Sequence, residues 1–238
     1  MSKVNIKLKS RKEVADNTME FHLTKPQGFT FKPGQFADYT EINPSETDTE
    51  GDTRGFSLGA PYEEDIIFTT RMRDTAFKRN LKKMPIGTEV VFDGAYGSFT
   101  LHNNTKIPAV FLSGGIGITP IRSIILQATH DKTDHKVFLF YANKTPKDTA
   151  YLDELTAAEK ANPNFKMVAS MTDIDGSKGW KGETGYFTKQ MLEKYIVDLT
   201  VPIYYISGPA SMVASIRKTL NEAGIDDDNI RTEEFSGY

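Results

Sequence analysis

The first hundred residues of the chain contain short segments in which apolar and polar residues alternate, separated by turn residues. A period of two is typical of half-buried strands, and pairs such as Pro33-Gly34 mark the turns between them. Phe77 and Leu81 instead have helical spacing and predict a short helix over residues 75–83. The candidate strands are residues 4–10, 18–24, 35–42, 54–58, 65–72 and 89–93, with an acidic loop at 43–53. Several short strands at such intervals predict a small antiparallel β-barrel.

From about residue 107, apolar runs alternate with segments of helical period. Ala109-Val110-Phe111-Leu112 is apolar on both faces, which is typical of a strand in a parallel sheet covered by helices. Strands are predicted at 109–112, 136–141, 165–171, 202–207 and 230–235, and helices at 120–128, 148–161, 188–195 and 210–223. This alternation predicts a doubly wound α/β domain with a parallel sheet. We place the boundary in the polar segment 102–106, which gives predicted domains of residues 1–103 and 104–238.

Composition narrows the functional classes. The 238 residues are 38% hydrophobic and 26% charged, so packed cores can form, and the net charge of −3 argues against non-specific nucleic-acid binding. The absence of cysteine excludes disulfides, thiolate metal sites and cysteine-ligated iron–sulfur clusters within these residues. The four histidines are scattered, without metal-site spacing. Since we find no signal peptide and no run of roughly 20 apolar residues, we expect a cytoplasmic protein without a metal site or a membrane span.

A glycine-rich turn follows the first apolar strand of the second half. Gly114, Gly115 and Gly117 let backbone N–H groups approach an anion, and the helix that begins near Pro120 adds partial positive charge. The turn therefore predicts a phosphate site at the carboxyl end of a strand, where ligands of doubly wound sheets bind. A tight packing turn is the alternative, because the spacing is not G-x-G-x-x-G.

Two further motifs carry weaker signals. Ser207-Gly208-Pro209 ends the fourth strand and opens a helix, which also fits ordinary strand-to-helix punctuation. In the barrel half, Arg54 could bind a phosphate through its planar donors, and Phe56 lies on the same strand face. Ser57 is expected to point to the opposite face. An exposed strand with an unremarkable arginine is the alternative.

Together these motifs resemble, in order and separation, those of the ferredoxin–NADP reductase superfamily, in a stand-alone form without an iron–sulfur domain. The motifs that carry the resemblance are Arg54-Gly55-Phe56-Ser57, residues 114–120, residues 208–212 and the ending Glu233-Glu234-Phe235-Ser236-Gly237-Tyr238. It covers essentially the whole chain. The resemblance implies an FAD-binding barrel, a nicotinamide-binding α/β domain, and an enzyme that passes hydride between nicotinamide and flavin N5.

The resemblance also implies roles for residues of the barrel. Arg54 would meet the FAD pyrophosphate, Phe56 would lie against the flavin in place of the family's tyrosine, and Ser57 would sit near flavin N5. Further cofactor-binding residues would be Gly55, Thr69, Thr70, Arg71, Thr75, Ala76, Phe77 and Lys78, although the last four lack the family's usual glycine.

In the second half, the first glycine-rich turn would hold the nicotinamide dinucleotide, and Ser207 would replace a family cysteine. The residues concerned are Gly114, Gly115, Ile116, Gly117, Thr119, Pro120, Ser207, Gly208, Pro209 and Met212. Asn143 and Lys144 would meet the adenosine ribose, and Lys144 favours a modest preference for NADPH, unless that segment is a solvated turn. The cofactors would be FAD and NADP or NAD.

The end of the chain resembles the family's carboxylate followed by a ring that covers the flavin. Glu233 would be the carboxylate that, with Ser57, handles the N5 proton. Either Phe235 or Tyr238 would be the covering ring, and both also fit edge-strand packing. Ferredoxin, flavodoxin or a haem protein would then be the electron acceptor.

Three other functions remain open at this point. The chain could be an electron-transfer subunit of a larger complex, although the family's subunits of this kind often carry an iron–sulfur cluster held by cysteines. It could be a free-flavin reductase that releases its flavin as a product. It could also be a structural α/β protein whose glycine turns serve packing alone.

Overall fold

The computed structural model describes residues 3–235, and its first half is an antiparallel barrel. The sheet order is β4-β3-β6-β1-β2-β5. β4 and β5, at the two ends of this order, meet through the stacked rings of Phe56 and Phe68, whose centroids are 4.5 Å apart. The elements are β1 (Val4–Ala15), β2 (Thr18–Thr24), β3 (Phe36–Glu41), β4 (Thr53–Ser57), β5 (Asp65–Arg71), α1 (Ala76–Lys83) and β6 (Glu89–Tyr96). The barrel prediction is confirmed, although β1 runs five residues beyond the predicted end at residue 10.

Helix α1 lies against the barrel core because its sequence is amphipathic. Phe77 and Leu81 are buried in the core, and Lys82 and Lys83 lie in the last turn, where cations complement the helix dipole. The helix begins after Thr75, whose hydroxyl accepts a hydrogen bond from the backbone of Lys78. The N-terminus of α1 therefore faces the end of β5.

The second half is a parallel six-stranded sheet with the order β10-β9-β8-β7-β11-β12 and helices packed against it, as predicted. Every residue of β7 is buried, as its continuous apolar sequence indicates. The strands are β7 (Ala109–Gly114), β8 (Val137–Asn143), β9 (Phe165–Met171), β10 (Glu183–Thr184), β11 (Ile203–Pro209) and β12 (Ile230–Phe235). The helices are α2 (Ile118–His130), α3 (Leu152–Ala161), α4 (Lys189–Glu193) and α5 (Ala210–Glu222).

Two details of this half differ from the sequence-based expectation. The second helix begins at Leu152 rather than at residue 148, because Tyr151 adopts a left-handed conformation with φ of 63°. A short turn over Pro146–Asp148 precedes it. The two-residue strand β10 was not predicted, since two residues carry no periodicity.

The two halves pack directly on one another. Tyr151 donates a hydrogen bond to the buried carboxylate of Glu20 on β2 (2.6 Å) and is also hydrogen-bonded to Thr69 on β5. Arg122 on α2 forms an ion pair with Glu63 of the barrel at 3.0 Å. These contacts place β5 beside the glycine-rich turn after β7.

The segment 97–108 links the two sheets, and the proposed domain boundary falls inside it. Within residues 3–235, none of the helices is long and apolar enough to cross a membrane.

Candidate functional site

A cavity of about 400 Å³ lies where the barrel meets the parallel sheet. Its walls come from β4, β5, the start of α1, the turn after β7, and β12. The sequence-predicted residues on these walls are Arg54, Gly55, Phe56, Ser57, Thr69, Thr70, Arg71, Thr75, Lys78, Ile116, Thr119, Glu233 and Phe235. Residues separated by up to 181 positions in the chain are thus brought to one site by the packing of the two halves.

Cations are concentrated on the barrel side of this cavity, where Arg54, Arg71, Arg73 and Lys78 form part of its wall. Burial, reinforced by the nearby Arg73 and Arg54, lowers the pKa of Lys78 to about 8. Arg71 Nε is buried and has no hydrogen-bond partner among the described residues. Like charges this close are stabilised by a bound anion, so the wall fits the diphosphate of a dinucleotide.

Arg73 is a residue that the sequence reasoning missed. It follows Arg71 by two positions just beyond β5, so the two side chains share a face only if the extended chain continues. That Arg-x-Arg pattern was the available signal.

The opposite part of the cavity carries two polar groups without partners. Ser57 Oγ and Glu233 Oε2 are buried, and neither makes a hydrogen bond within the described part of the chain. Burial raises the pKa of Glu233 to about 7. Since buried polar groups are normally paired, these two atoms fit a ligand that presents hydrogen-bonding ring atoms. Ser57 lines the cavity together with Phe56, although alternation along the strand predicted opposite faces.

Phe56 belongs mainly to the barrel core. Its ring stacks on Phe68 with an interplanar angle of 5°, and Tyr39 lies 5.7 Å away. Phe68 therefore covers one face of the ring, and the predicted stacking of Phe56 on a flavin stays a prediction. Phe36, which the sequence reasoning missed, and Phe235 are the other rings that line the cavity.

A second cavity of about 340 Å³ lies at the carboxyl edge of the parallel sheet. Arg71 lines both cavities, so they share part of a wall. The predicted residues found here are Arg71, Gly114, Gly115, Asn143, Lys144, Pro209 and Met212. Thr172, Tyr186 and Phe187 also line it and were missed, because they belong to a segment without a motif.

The two glycine-bearing turns pack against each other beside this cavity. A Cβ at Gly114 would overlap the sulfur of Met212, and a Cβ at Gly117 would overlap the carbonyl oxygen of Ser207. Gly115 has φ of 55°, which a residue with a side chain adopts at a cost. The packing interpretation of these glycines therefore holds for Gly114 and Gly117, while Gly115 faces the cavity.

The segment after β8 contributes both signs of charge. Lys144 and Asp148 line the second cavity, whereas Lys147 does not. The carboxylate of Asp148 accepts hydrogen bonds from the backbone and hydroxyl of Thr145, at 3.1 and 2.7 Å. The Asn143 side chain is buried, with both polar atoms unpaired among the described residues.

Several predicted residues line neither cavity: Ala76, Phe77, Gly117, Pro120, Ser207 and Gly208. Phe77 packs in the barrel core under the Arg54 guanidinium, 5.2 Å from the ring centroid. Tyr238, with Ser236 and Gly237, lies outside the described residues, so its role stays a prediction.

Comparisons with known proteins agree with this architecture. A family model for the oxidoreductase NAD-binding domain matches residues 111–218. One subunit of the Na(+)-translocating NADH-quinone reductase of Pseudoalteromonas atlantica is 28% identical over 200 residues, which make up 77% of this chain and 49% of that protein. The chain therefore spans about half the length of this curated relative.

Solved structures match both halves of the chain. The FAD/NAD-binding domain of nitric oxide dioxygenase from Vibrio cholerae has a TM-score of 0.83 at 18% identity, covering 97% of this chain and 98% of that one. A ferredoxin NADP+ reductase from Neisseria gonorrhoeae, solved with bound FAD and NADP, has a TM-score of 0.81 at 20% identity, covering 98% and 99%. With its oxidoreductase NAD-binding domain and its barrel placed as in these structures, the chain belongs to the ferredoxin–NADP reductase superfamily.

Proposed function

We propose that the chain is an FAD-dependent NAD(P)H oxidoreductase, in which the larger cavity holds FAD and the second cavity holds the nicotinamide dinucleotide. The observation that carries this proposal is the shared wall: Arg71 lines both cavities, and the glycine-rich turn lies between them. Hydride transfer needs two cofactors in contact, and adjoining cavities permit that contact. The cofactors supply the redox chemistry, and the chain supplies position and polarity.

The residues of the larger cavity divide into two groups under this proposal. Arg54, Arg71, Arg73 and Lys78 would hold the diphosphate, since they form its cationic wall. Ser57 and Glu233 would meet the flavin ring, because their buried oxygens have no other partner within the described residues. A carboxyl whose pKa is about 7 can hold or accept a proton at neutral pH.

The solved neighbours support the choice of cofactors. One was solved with FAD and NADP bound, and another is described as an FAD/NAD-binding domain. Neither identifies the electron acceptor of this chain. A one-electron acceptor such as ferredoxin, flavodoxin or a haem protein is our proposal for that partner.

The purified protein tests this assignment. We expect about one FAD per chain, retained through gel filtration, and Arg54→Ala should weaken FAD binding by about 1.5–3 kcal/mol, the scale of a charge-assisted hydrogen bond. Lys181→Ala, a surface cation of the second half outside both cavities, is the matched control. A flavin lost on gel filtration would indicate a free-flavin reductase, and unchanged flavin retention in Arg54→Ala would remove Arg54 from the site.

A second candidate function is that of an electron-transfer subunit in a larger complex. The relative from Pseudoalteromonas atlantica is itself named as a subunit, and the chain spans 49% of it. The partner would have to supply any iron–sulfur cluster, since this sequence contains no cysteine. Co-purification of a partner at fixed stoichiometry would favour this function, whereas full turnover with a soluble acceptor by the isolated chain would favour the autonomous enzyme.

A further inference from the structure

The acidic loop at residues 43–53 reaches the groups that are best placed to bind a diphosphate. Asp48 Oδ2 accepts a hydrogen bond from the backbone N–H of Ala76 at 2.8 Å. Glu50 Oε2 accepts one from Arg54 Nη2, also at 2.8 Å. Glu50 itself lines the larger cavity. Two carboxylates are thus bonded to two donors at the cationic end of the site.

Both donors have the properties of an anion site. Ala76 is the first residue of α1, so its N–H has no partner within the helix and lies at the positive end of the helix dipole. The hydrogen bond from this N–H lowers the pKa of Asp48, which keeps the carboxylate charged. Arg54 supplies planar donors of the kind that bind phosphate.

The loop takes up the hydrogen-bonding capacity of Arg54 almost completely. Arg54 Nη1 donates to the carbonyl oxygens of Glu50 (2.8 Å), Gly51 (3.2 Å) and Thr53 (2.7 Å), in addition to the Glu50 carboxylate bonded at Nη2. A diphosphate that binds Arg54 must displace at least the Glu50 carboxylate. Arg71 and Lys78, by contrast, make no ion pair with this loop within residues 3–235.

We propose that Asp48 and Glu50 determine flavin selectivity: their carboxylates occupy the diphosphate donors, so they lower the affinity for FAD relative to a flavin that has no phosphate. This inference rests on the proposed function of the larger cavity. FAD would bind only as the loop carboxylates give up Arg54 and Ala76, whereas riboflavin would leave these contacts in place.

The opposite arrangement has a distinct consequence. If the loop carboxylates instead hold Arg54 in position while FAD is bound, their neutralisation would weaken FAD binding. The sign of the change in FAD affinity therefore separates the two arrangements.

The test compares wild type with an Asp48→Asn, Glu50→Gln double variant. The amide oxygens still accept hydrogen bonds, so the cap of α1 is kept while the charge is removed. Asp52→Asn is the matched control, because Asp52 belongs to the same loop and bonds Thr53 rather than Arg54. Dissociation constants for FAD and riboflavin are measured by quenching of flavin fluorescence on titration with protein from which flavin has been removed.

We expect the double variant to bind FAD about tenfold more tightly than wild type, the scale of one charge-assisted contact removed from competition. Riboflavin affinity should stay within about twofold, and Asp52→Asn should resemble wild type. Unchanged or weaker FAD binding in the double variant would overturn the selectivity proposal while leaving the flavin site intact. If neither FAD nor riboflavin binds wild type or variant, the proposed function fails, and this inference fails with it.

Discussion

Glu233→Gln is the substitution whose effect follows most directly from the structure. Glu233 lies on β12 at the larger cavity, and its Oε2 has no hydrogen-bond partner among the described residues. Burial raises the pKa of its carboxyl from 4.5 to about 7. Between these two values the folded protein retains a proton that the unfolded chain releases.

The sign and size of the effect follow from this difference in pKa. Because the folded-state pKa is the higher one, the stability that the neutral carboxyl contributes is complete below pH 4.5 and is lost as pH rises through about 7. The difference corresponds to about 3 kcal/mol in the free energy of unfolding. About 2 kcal/mol of this is lost between about pH 5.5 and about pH 8. The amide side chain of the variant would be neutral throughout and would show no such loss.

The assay is urea unfolding of wild type and variant at these two pH values. The stability of Glu233→Gln relative to wild type should rise by about 2 kcal/mol from the lower to the higher pH. Glu41 also has a pKa raised to about 7, mainly by burial, but it is present in both proteins and cancels in the comparison. Parallel loss of stability in the two proteins would refute the reasoning, because Glu233 would then titrate as an exposed carboxyl does.

Three further substitutions test other parts of the site. Gly115→Val should slow flavin reduction by both nucleotides while flavin stays bound, since φ of 55° disfavours a branched residue beside the second cavity; wild-type rates with either nucleotide would make the turn merely structural. Lys144→Ala should lower kcat/KM for NADPH more than for NADH, and equal values would remove Lys144 from the ribose site. Tyr151→Phe should lower the free energy of unfolding by about 1–3 kcal/mol, because the buried Glu20 carboxylate loses a donor; denaturant curves that superimpose on wild type would contradict this.

The chain's hydrophobic pattern was sufficient to predict both halves of the fold. β7 is apolar at every position of its core segment, which separates a parallel sheet from the alternating strands of the barrel. The start of α3 was not predictable in the same way. Tyr151 adopts its left-handed conformation where its hydroxyl reaches Glu20 and Thr69, so the helix start depends on contacts with the other half.

The site was predictable only where residues belong to a motif. Arg54 and Ser57 were found through a short pattern, and Gly115 through a glycine-rich turn. Tyr186 and the loop residue Glu50 reach the cavities through tertiary packing, which local sequence does not encode. The pairing of Glu50 with Arg54 changes the interpretation of that motif, because the arginine expected to meet a phosphate is bonded to a carboxylate.

Anaerobic titration of the FAD-bound protein with NADH or NADPH tests most directly whether the two cavities form one reaction site. Direct hydride transfer between adjoining cofactors predicts that about one equivalent of the preferred nucleotide bleaches the visible absorbance of the bound flavin. A flavin that stays oxidised in the presence of excess NADH and excess NADPH would contradict the assignment.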